Sequence, residues 1–190
     1  MLVILIGKSG SGKDSILHEL IENEGYSLIV STTTRPIRDG EVDGVDYHFV
    51  TNEVFDTMIA EDKFLEHRSY ETLVGGNHEV WRYGTPKTPL DKDKDYAIVL
   101  DMPSTQDFLN YYGRSNCAVI FVDAPLELRE ERAKQRGSFD MTEWQRRIPR
   151  DDEQFNNVAV SLVANYRVFN TGTLQRAVNR VLAYIAGLSN

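Results

Sequence analysis

Residues 7–14, Gly7-Lys8-Ser9-Gly10-Ser11-Gly12-Lys13-Asp14, have the types and the spacing to hold a polyphosphate. Glycines at both ends of a short loop let the backbone curl until successive N–H groups point at an anion, and a lysine directly follows the last of them. The apolar run Leu2-Val3-Ile4-Leu5-Ile6 precedes the loop as a buried strand. A helix starting near Lys13 would add the positive end of its dipole. Lys13 would then reach the β- and γ-phosphates as a compact point charge. Strand, loop and helix in this order make a P-loop, and Gly7, Ser9, Gly10, Ser11, Gly12, Lys13, Asp14 and Ser15 are the expected contacts of a nucleoside triphosphate.

One position departs from the motif. Asp14 stands where a serine or threonine hydroxyl ordinarily meets magnesium, and Ser15 follows it. A carboxylate binds Mg²⁺ well but repels phosphate when the metal is absent. Two unit charges ~4 Å apart interact by roughly 4 kcal/mol at an effective dielectric of ~20. Asp14 therefore either holds Mg²⁺ and makes nucleotide binding metal-dependent, or simply caps the helix.

The rest of the chain must position that loop. Its 190 residues suit one domain, or a core with insertions, and 41% are hydrophobic. No apolar run is long enough to span a membrane, and Met1 leads straight into the first strand, which leaves no room for a cleaved leader. The one cysteine, Cys117, lies in an apolar run and reads as a core residue of a protein from a reducing, cytoplasmic setting. A net charge of −8 argues against a polynucleotide partner. Against that background Arg129, Arg132, Lys134, Arg136, Arg146, Arg147 and Arg150 form a basic cluster, of which a subset fits a small polyphosphate.

Strand-like runs recur at 2–6, 27–31, 96–100, 117–122 and 166–169, and helical spacing appears at 15–21 and 174–185. The alternation predicts an α/β fold with a parallel sheet covered by helices on both faces. Residues 1–34 and 91–190 are expected to form this P-loop core. Residues 35–90, with short extended pieces around the helical pattern Val54-Phe55-Met58-Ile59, read as an α+β insertion. An arginine-rich lid is expected at about 137–152, where Pro149 should interrupt or kink any helix. Trp81 and Trp144 read as packing or stacking residues, and the scattered His48, His67 and His78 lack metal-ligand spacing.

Phosphoryl transfer needs one nucleotide in a P-loop, a metal, an acceptor held in line, and positive charge on the moving group. Residues 31–49 supply Arg35, Arg38 and Tyr47 where they could clamp a phosphate monoester. Here the chain resembles the guanylate kinase family. The P-loop, the Ser31-to-Tyr47 segment, Phe64-Leu65-Glu66, Tyr83-Gly84-Thr85, Leu100-Asp101, Arg132 with Arg136-Gly137, and Arg147 occur in that family's order over nearly the whole chain. The resemblance implies ATP as donor with Mg²⁺, and GMP or dGMP as acceptor. It implies that Arg35, Arg38, Tyr47 and Tyr83 hold the acceptor phosphate and that Glu41 braces that site. Ser31, Glu66 and Thr85 would read the guanine edge. Arg132, Arg136 and Arg147 would act with Lys13 on the transferring phosphoryl, and Asp101 would sit near the metal and the acceptor.

Three features depart from the family pattern: Asp14, Pro103 in place of a second aspartate, and a longer segment 71–82 whose Gly75-Gly76-Asn77 suggests an added hairpin close to the acceptor site. The Gly-Lys-Asp-Ser ending of the P-loop also resembles ribose 1,5-bisphosphate phosphokinase, which ranks second as a reading, beside other nucleoside monophosphate kinases. A guanylate-kinase-like domain that binds peptides without catalysis ranks third, because its kind degrades the P-loop that is intact here.

Overall fold

The computed structural model describes residues 1–74, 77–135 and 139–188. They form two compact units, one of residues 1–28 and 92–190, the other Ile29–Asp91.

The first unit is built on a five-stranded parallel sheet. β1 (Leu2–Ile6) lies at its centre, wholly buried, in a strand order β2-β7-β1-β8-β9 with β2 (Ser27–Leu28), β7 (Tyr96–Val99), β8 (Cys117–Asp123) and β9 (Tyr166–Phe169). Leu2 pairs with both Tyr96 and Cys117, so the two neighbours of β1 start level with it. Helices follow the strands: α1 (Lys13–Asn23), α3 (Met102–Tyr112), α4 (Leu126–Gln135), α5 (Met141–Gln154), α6 (Asn157–Val163) and α7 (Leu174–Leu188). α2 (Asn52–Ala60) belongs to the second unit. β1 reads as unbroken apolar sequence because both of its faces are covered.

One face of the sheet is sealed by α1 and α7. Ile16 and Leu20 of α1 and Ala177, Val178, Val181 and Ile185 of α7 pack with Val3, Leu5, Ile120 and Val122. Each fully buried aliphatic side chain here contributes about 1.5–3 kcal/mol. On the other face Phe121 stacks on Phe155, the residue that ends α5, with ring centroids 6.0 Å apart. Among the described residues no helix is long and apolar enough to cross a membrane.

The second unit carries a four-stranded sheet in the order β4-β3-β6-β5, from β3 (Thr32–Thr33), β4 (His48–Phe49), β5 (Phe64–Val74) and β6 (Asn77–Pro86). β3 runs parallel to β4 and antiparallel to β6, and β5 pairs antiparallel with β6 out to Val74 opposite Asn77. These two strands flank the hairpin expected from Gly75-Gly76-Asn77, of which residues 75–76 lie outside the described residues. Phe55 of α2 packs on Phe64 of β5 at 4.6 Å between centroids.

Two expectations are corrected. The run 27–31 is not one strand: only Ser27–Leu28 pairs with β7, and the next strand, Thr32–Thr33, begins beyond the run and enters the other sheet. Of the two outcomes expected at Pro149, an interruption or a kink, the interruption is ruled out, for α5 runs through it to Gln154. Proline forfeits one N–H bond, but Asp140 caps the start by accepting from Glu143 N at 2.8 Å, and contacts on both sides of Pro149 hold the turns.

Cys117 is buried, and burial pushes its thiol up to about 11. At pH 8 about one thiol in a thousand is then ionised. A disulfide dye is expected to leave the folded protein unlabelled over minutes and to titrate one thiol per chain in guanidinium. Fast labelling of the native protein would show that β8 opens.

Candidate active site

The loop of residues 7–12 leaves β1 and enters α1 at Lys13. Its curl requires glycine at two places above all. Gly10 has φ +75°, and a Cβ there would sit 2.4 Å from the Arg129 carbonyl oxygen. Gly12 has φ +89°, and its Cβ would meet Asn170 Nδ2 at 2.4 Å. Gly12 is also the N-cap of α1 and has no side chain to cap with. No N-cap side chain therefore satisfies any of the first N–H groups of α1. Asp14 lies in the first turn, half-buried, so it is not the helix cap that one of the two readings made it.

The loop's outward-facing groups are tied to the rest of this unit. The Ser11 carbonyl accepts from Asn170 Nδ2 at 2.9 Å and from Arg132 Nη1 at 3.2 Å, while Arg132 Nη2 donates to the Asn170 carbonyl at 2.9 Å. Burial lowers the pKa of Arg132. The Ser9 carbonyl accepts from Arg129 Nη1 at 3.2 Å, and Ser9 N–H donates to Asp151 Oδ2 at 2.6 Å. Arg129, one member of the basic cluster, is almost fully buried beneath the loop. Sequence reading missed Asn170 and Asp151. Neither belongs to a motif, and each is recognisable only by standing next to a loop more than 140 residues away in the chain.

Of the remaining residues expected at the donor side, Asp101 caps α3, accepting from Ser104 N at 2.8 Å. Pro103 occupies the first turn of that helix, where a missing N–H costs nothing. Arg147 Nε donates to Glu143 Oε1 at 2.6 Å, and Arg146 binds the same carboxylate at 2.7 and 2.9 Å. Burial pushes the Glu143 carboxyl up, but the bonds from Arg146 and Arg147 outweigh it and hold it below its usual range. Arg136 lies outside the described residues.

In the second unit the expected acceptor residues come together in two groups. Arg35, 4% exposed, forms a forked pair with Glu41, Nη1 to Oε2 at 2.9 Å and Nη2 to Oε1 at 2.7 Å. The same carboxylate accepts from Arg38 N at 2.8 Å. Burial lowers the pKa of Arg35, yet the bond from Glu41, with Tyr83 beside it, raises it overall. The guanidinium also lies 5.5 Å from the Tyr47 ring centroid, and Tyr47 meets Tyr83 edge-on at 6.0 Å. The Arg38 guanidinium stands over the Trp81 ring at 5.8 Å.

The second group is a hydrogen-bonded chain. Thr85 Oγ1 donates to Glu66 Oε1 at 2.8 Å, and Ser31 Oγ lies 2.9 Å from Thr85 Oγ1. Glu66 and Thr85 are register partners on β5 and β6, next to an irregularity between Phe64 and Glu66. A break in register of this kind re-aims the side chain beside it. Glu66 is 8% exposed and Thr85 1%. A buried carboxylate fixed by a hydroxyl is an acceptor with set direction, suited to a ligand edge that offers two N–H donors. Among the described residues no cluster of three His, Cys, Asp or Glu side chains could hold a metal unaided.

Glu143 supplies a test of the α5 network. Its depressed pKa means that its contribution to stability is fully present above about pH 4.3 and fades as pH falls through the folded value. Glu143→Gln is expected to lose about 1–3 kcal/mol at pH 7. The gap to the parent should close in acid, as read by denaturant unfolding at a series of pH values.

A family model described as guanylate kinase matches residues 1–165. A guanylate kinase of Clostridium perfringens (strain SM101) is 35% identical over 190 residues, covering 97% of this chain and 82% of that protein. One of Synechocystis sp. (strain PCC 6803) is 32% identical over 97% of this chain and 92% of its own. The crystal structure of guanylate kinase from Anaplasma phagocytophilum superposes with a TM-score of 0.62 at 22% identity, covering 98% of this chain and 85% of that one, a likeness of fold.

Proposed function

The chain belongs to the guanylate kinase family, and from that premise we propose that it transfers the γ-phosphoryl group of ATP to GMP or dGMP, giving the diphosphate. The observation that carries the acceptor's identity is the chain Ser31–Thr85–Glu66. Guanine presents a ring N–H and an amino group side by side, and a carboxylate accepts from both. Adenine lacks that donor pair, and a site left with an unpaired buried acceptor rejects it strongly. A sugar phosphate would have no use for such a reader.

In this reading Arg35, Arg38, Tyr47 and Tyr83 hold the acceptor phosphate. Glu41 keeps the Arg35 fork rigid, so that little side-chain freedom is lost on binding. The loop amides and Lys13 hold the donor phosphates. Arg132 already touches the loop carbonyl at Ser11, and with Arg136 and Arg147 it supplies positive charge to the moving phosphoryl. The acceptor phosphate is an anion at neutral pH, so transfer is direct and in line, with no phosphoenzyme and no obligatory base.

Mg²⁺ fits the donor set. Asp14 directly follows Lys13 and offers hard oxygen, Asp101 offers a second carboxylate, and Mg²⁺ takes its remaining positions from phosphate and water. Held by Asp14 and Asp101, the ion would supply positive charge to the donor phosphates. The partners proposed are small-molecule nucleotides in the cytoplasm. The net charge of −8 supports that over a polynucleotide.

ADP release is measured over GMP, dGMP, AMP, CMP, UMP, dTMP and ribose 1,5-bisphosphate. Turnover is expected on GMP and dGMP alone, falling on the order of 10²-fold or more in Lys13→Met. Glu66→Gln places a donor against the guanine donors and should cut kcat/KM for GMP by about 10²-fold. Turnover on the sugar bisphosphate only would reassign the acceptor. Separately, Asp14→Ser is expected to flatten the Mg²⁺ dependence of ATP binding. An unchanged metal titration would remove Asp14 from the metal site.

A further inference from the structure

Ser9 is held on both sides by one buried ion pair. Its carbonyl accepts from Arg129 Nη1 at 3.2 Å and its N–H donates to Asp151 Oδ2 at 2.6 Å. Arg129 and Asp151 themselves stand 3.6 Å apart, with side chains only 4% and 13% exposed. One residue further along α5, Asp152 Oδ1 meets Lys8 Nζ at 2.6 Å. Two consecutive carboxylates of α5 therefore grip two consecutive residues of the phosphate loop.

The geometry of the grip is specific. Ser9 N–H belongs to the peptide before the residue and Ser9 C=O to the peptide after it. Fixing both fixes φ and ψ of Ser9, immediately ahead of Gly10 in its left-handed conformation at φ +75°. A loop with three glycines in six residues otherwise keeps large conformational freedom, which ligand binding would have to remove. The grip also has a direction along α5. Glu143, Arg147 and Asp151 follow at intervals of four and share one helix face. Arg147 stands about 6 Å of helix rise before Asp151.

A buried ion pair is by itself weak evidence of stabilisation, because desolvation offsets attraction. Its consistent feature here is that both partners are directed at the backbone of one loop residue. We propose that Asp151, acting with Arg129, is a positioning residue for the donor nucleotide. The pair presets the curl of residues 8–12 for the ATP phosphates and couples that curl to the seating of α5, the helix that carries Arg147. The proposal rests on the reading of residues 7–15 as the ATP loop.

The test uses the full chain and direct calorimetric binding of ATP·Mg²⁺, beside steady-state turnover. Arg129→Leu/Asp151→Ala replaces the pair by apolar groups and strands no buried charge. Asp151→Asn keeps the volume and removes only the charge, in case the double variant does not fold. The double variant is expected to unfold cooperatively and to bind ATP at least tenfold more weakly. Its KM for ATP should rise in step, while KM for GMP stays within twofold. Asp151→Asn should lose threefold or more in ATP affinity. A merely structural role would lower the melting temperature and leave the ratio of the two KM values alone. ATP affinity within twofold of wild type in either folded variant overturns the proposal. Failure of the wild type to bind ATP is a distinct result, which takes down the reading of the loop as well.

Discussion

A loop that aims its N–H groups inward at an anion must aim its carbonyls outward, and each outward carbonyl needs a donor. Much of the first unit answers that requirement. Asn170, at the end of β9, and Arg132, on α4, both donate to the Ser11 carbonyl. Arg129, one helical turn before Arg132, serves the Ser9 carbonyl. The Asn170 amide N–H in turn bonds to the Asp123 carbonyl at 2.8 Å, which joins the last strand to its neighbour. Central strand, edge strand and two helices are thereby held to one six-residue turn. The glycines are the counterpart of this arrangement: a side chain at 10 or 12 would occupy the space where Arg129 and Asn170 reach the loop.

The second unit solves a different problem with the same chemistry. Here a buried guanidinium, that of Arg35, is kept oriented. Glu41 does so through a fork to Arg35 and a bond from the Arg38 backbone, with the aromatic rings of Tyr47 and Phe49 packed at the guanidinium. Glu66 accepts from a neutral hydroxyl, that of Thr85.

The long parallel-sheet strands and the amphipathic helices were legible in the sequence because their signal is local. Val3 and Leu5 alternate with Leu2 and Ile4 on a strand buried on both sides, and α7 repeats its apolar residues at helical spacing. The P-loop and the ordered set from Ser31 to Thr85 were legible for a similar reason, since residue types at fixed spacing carry the chemistry. The short strands were less so. Two residues of β2 and two of β3 form one apolar-to-polar run, and only their separate partners, β7 and β6, divide it. Pro149 does not interrupt α5, because propensity counts the lost bond but not the tertiary contacts that hold the surrounding turns.

Sequence alone determined the alternation of parallel strands and helices, the glycine-rich loop between β1 and α1, and the residue types gathered between Ser31 and Thr85. These depend on spacing along the chain and on the chemistry of single side chains. Tertiary structure decided which charges work on which backbone groups. Arg129 reads like its neighbours on a charged helix, yet it is buried under the loop. Asp151 reads as one acid among several, yet it takes the Ser9 N–H from far along the chain. The physical reason is that a buried charge is tolerated only where a partner meets it. Such partners are brought together by the packing of α4 and α5 beside β1, across sequence distances that no local pattern encodes.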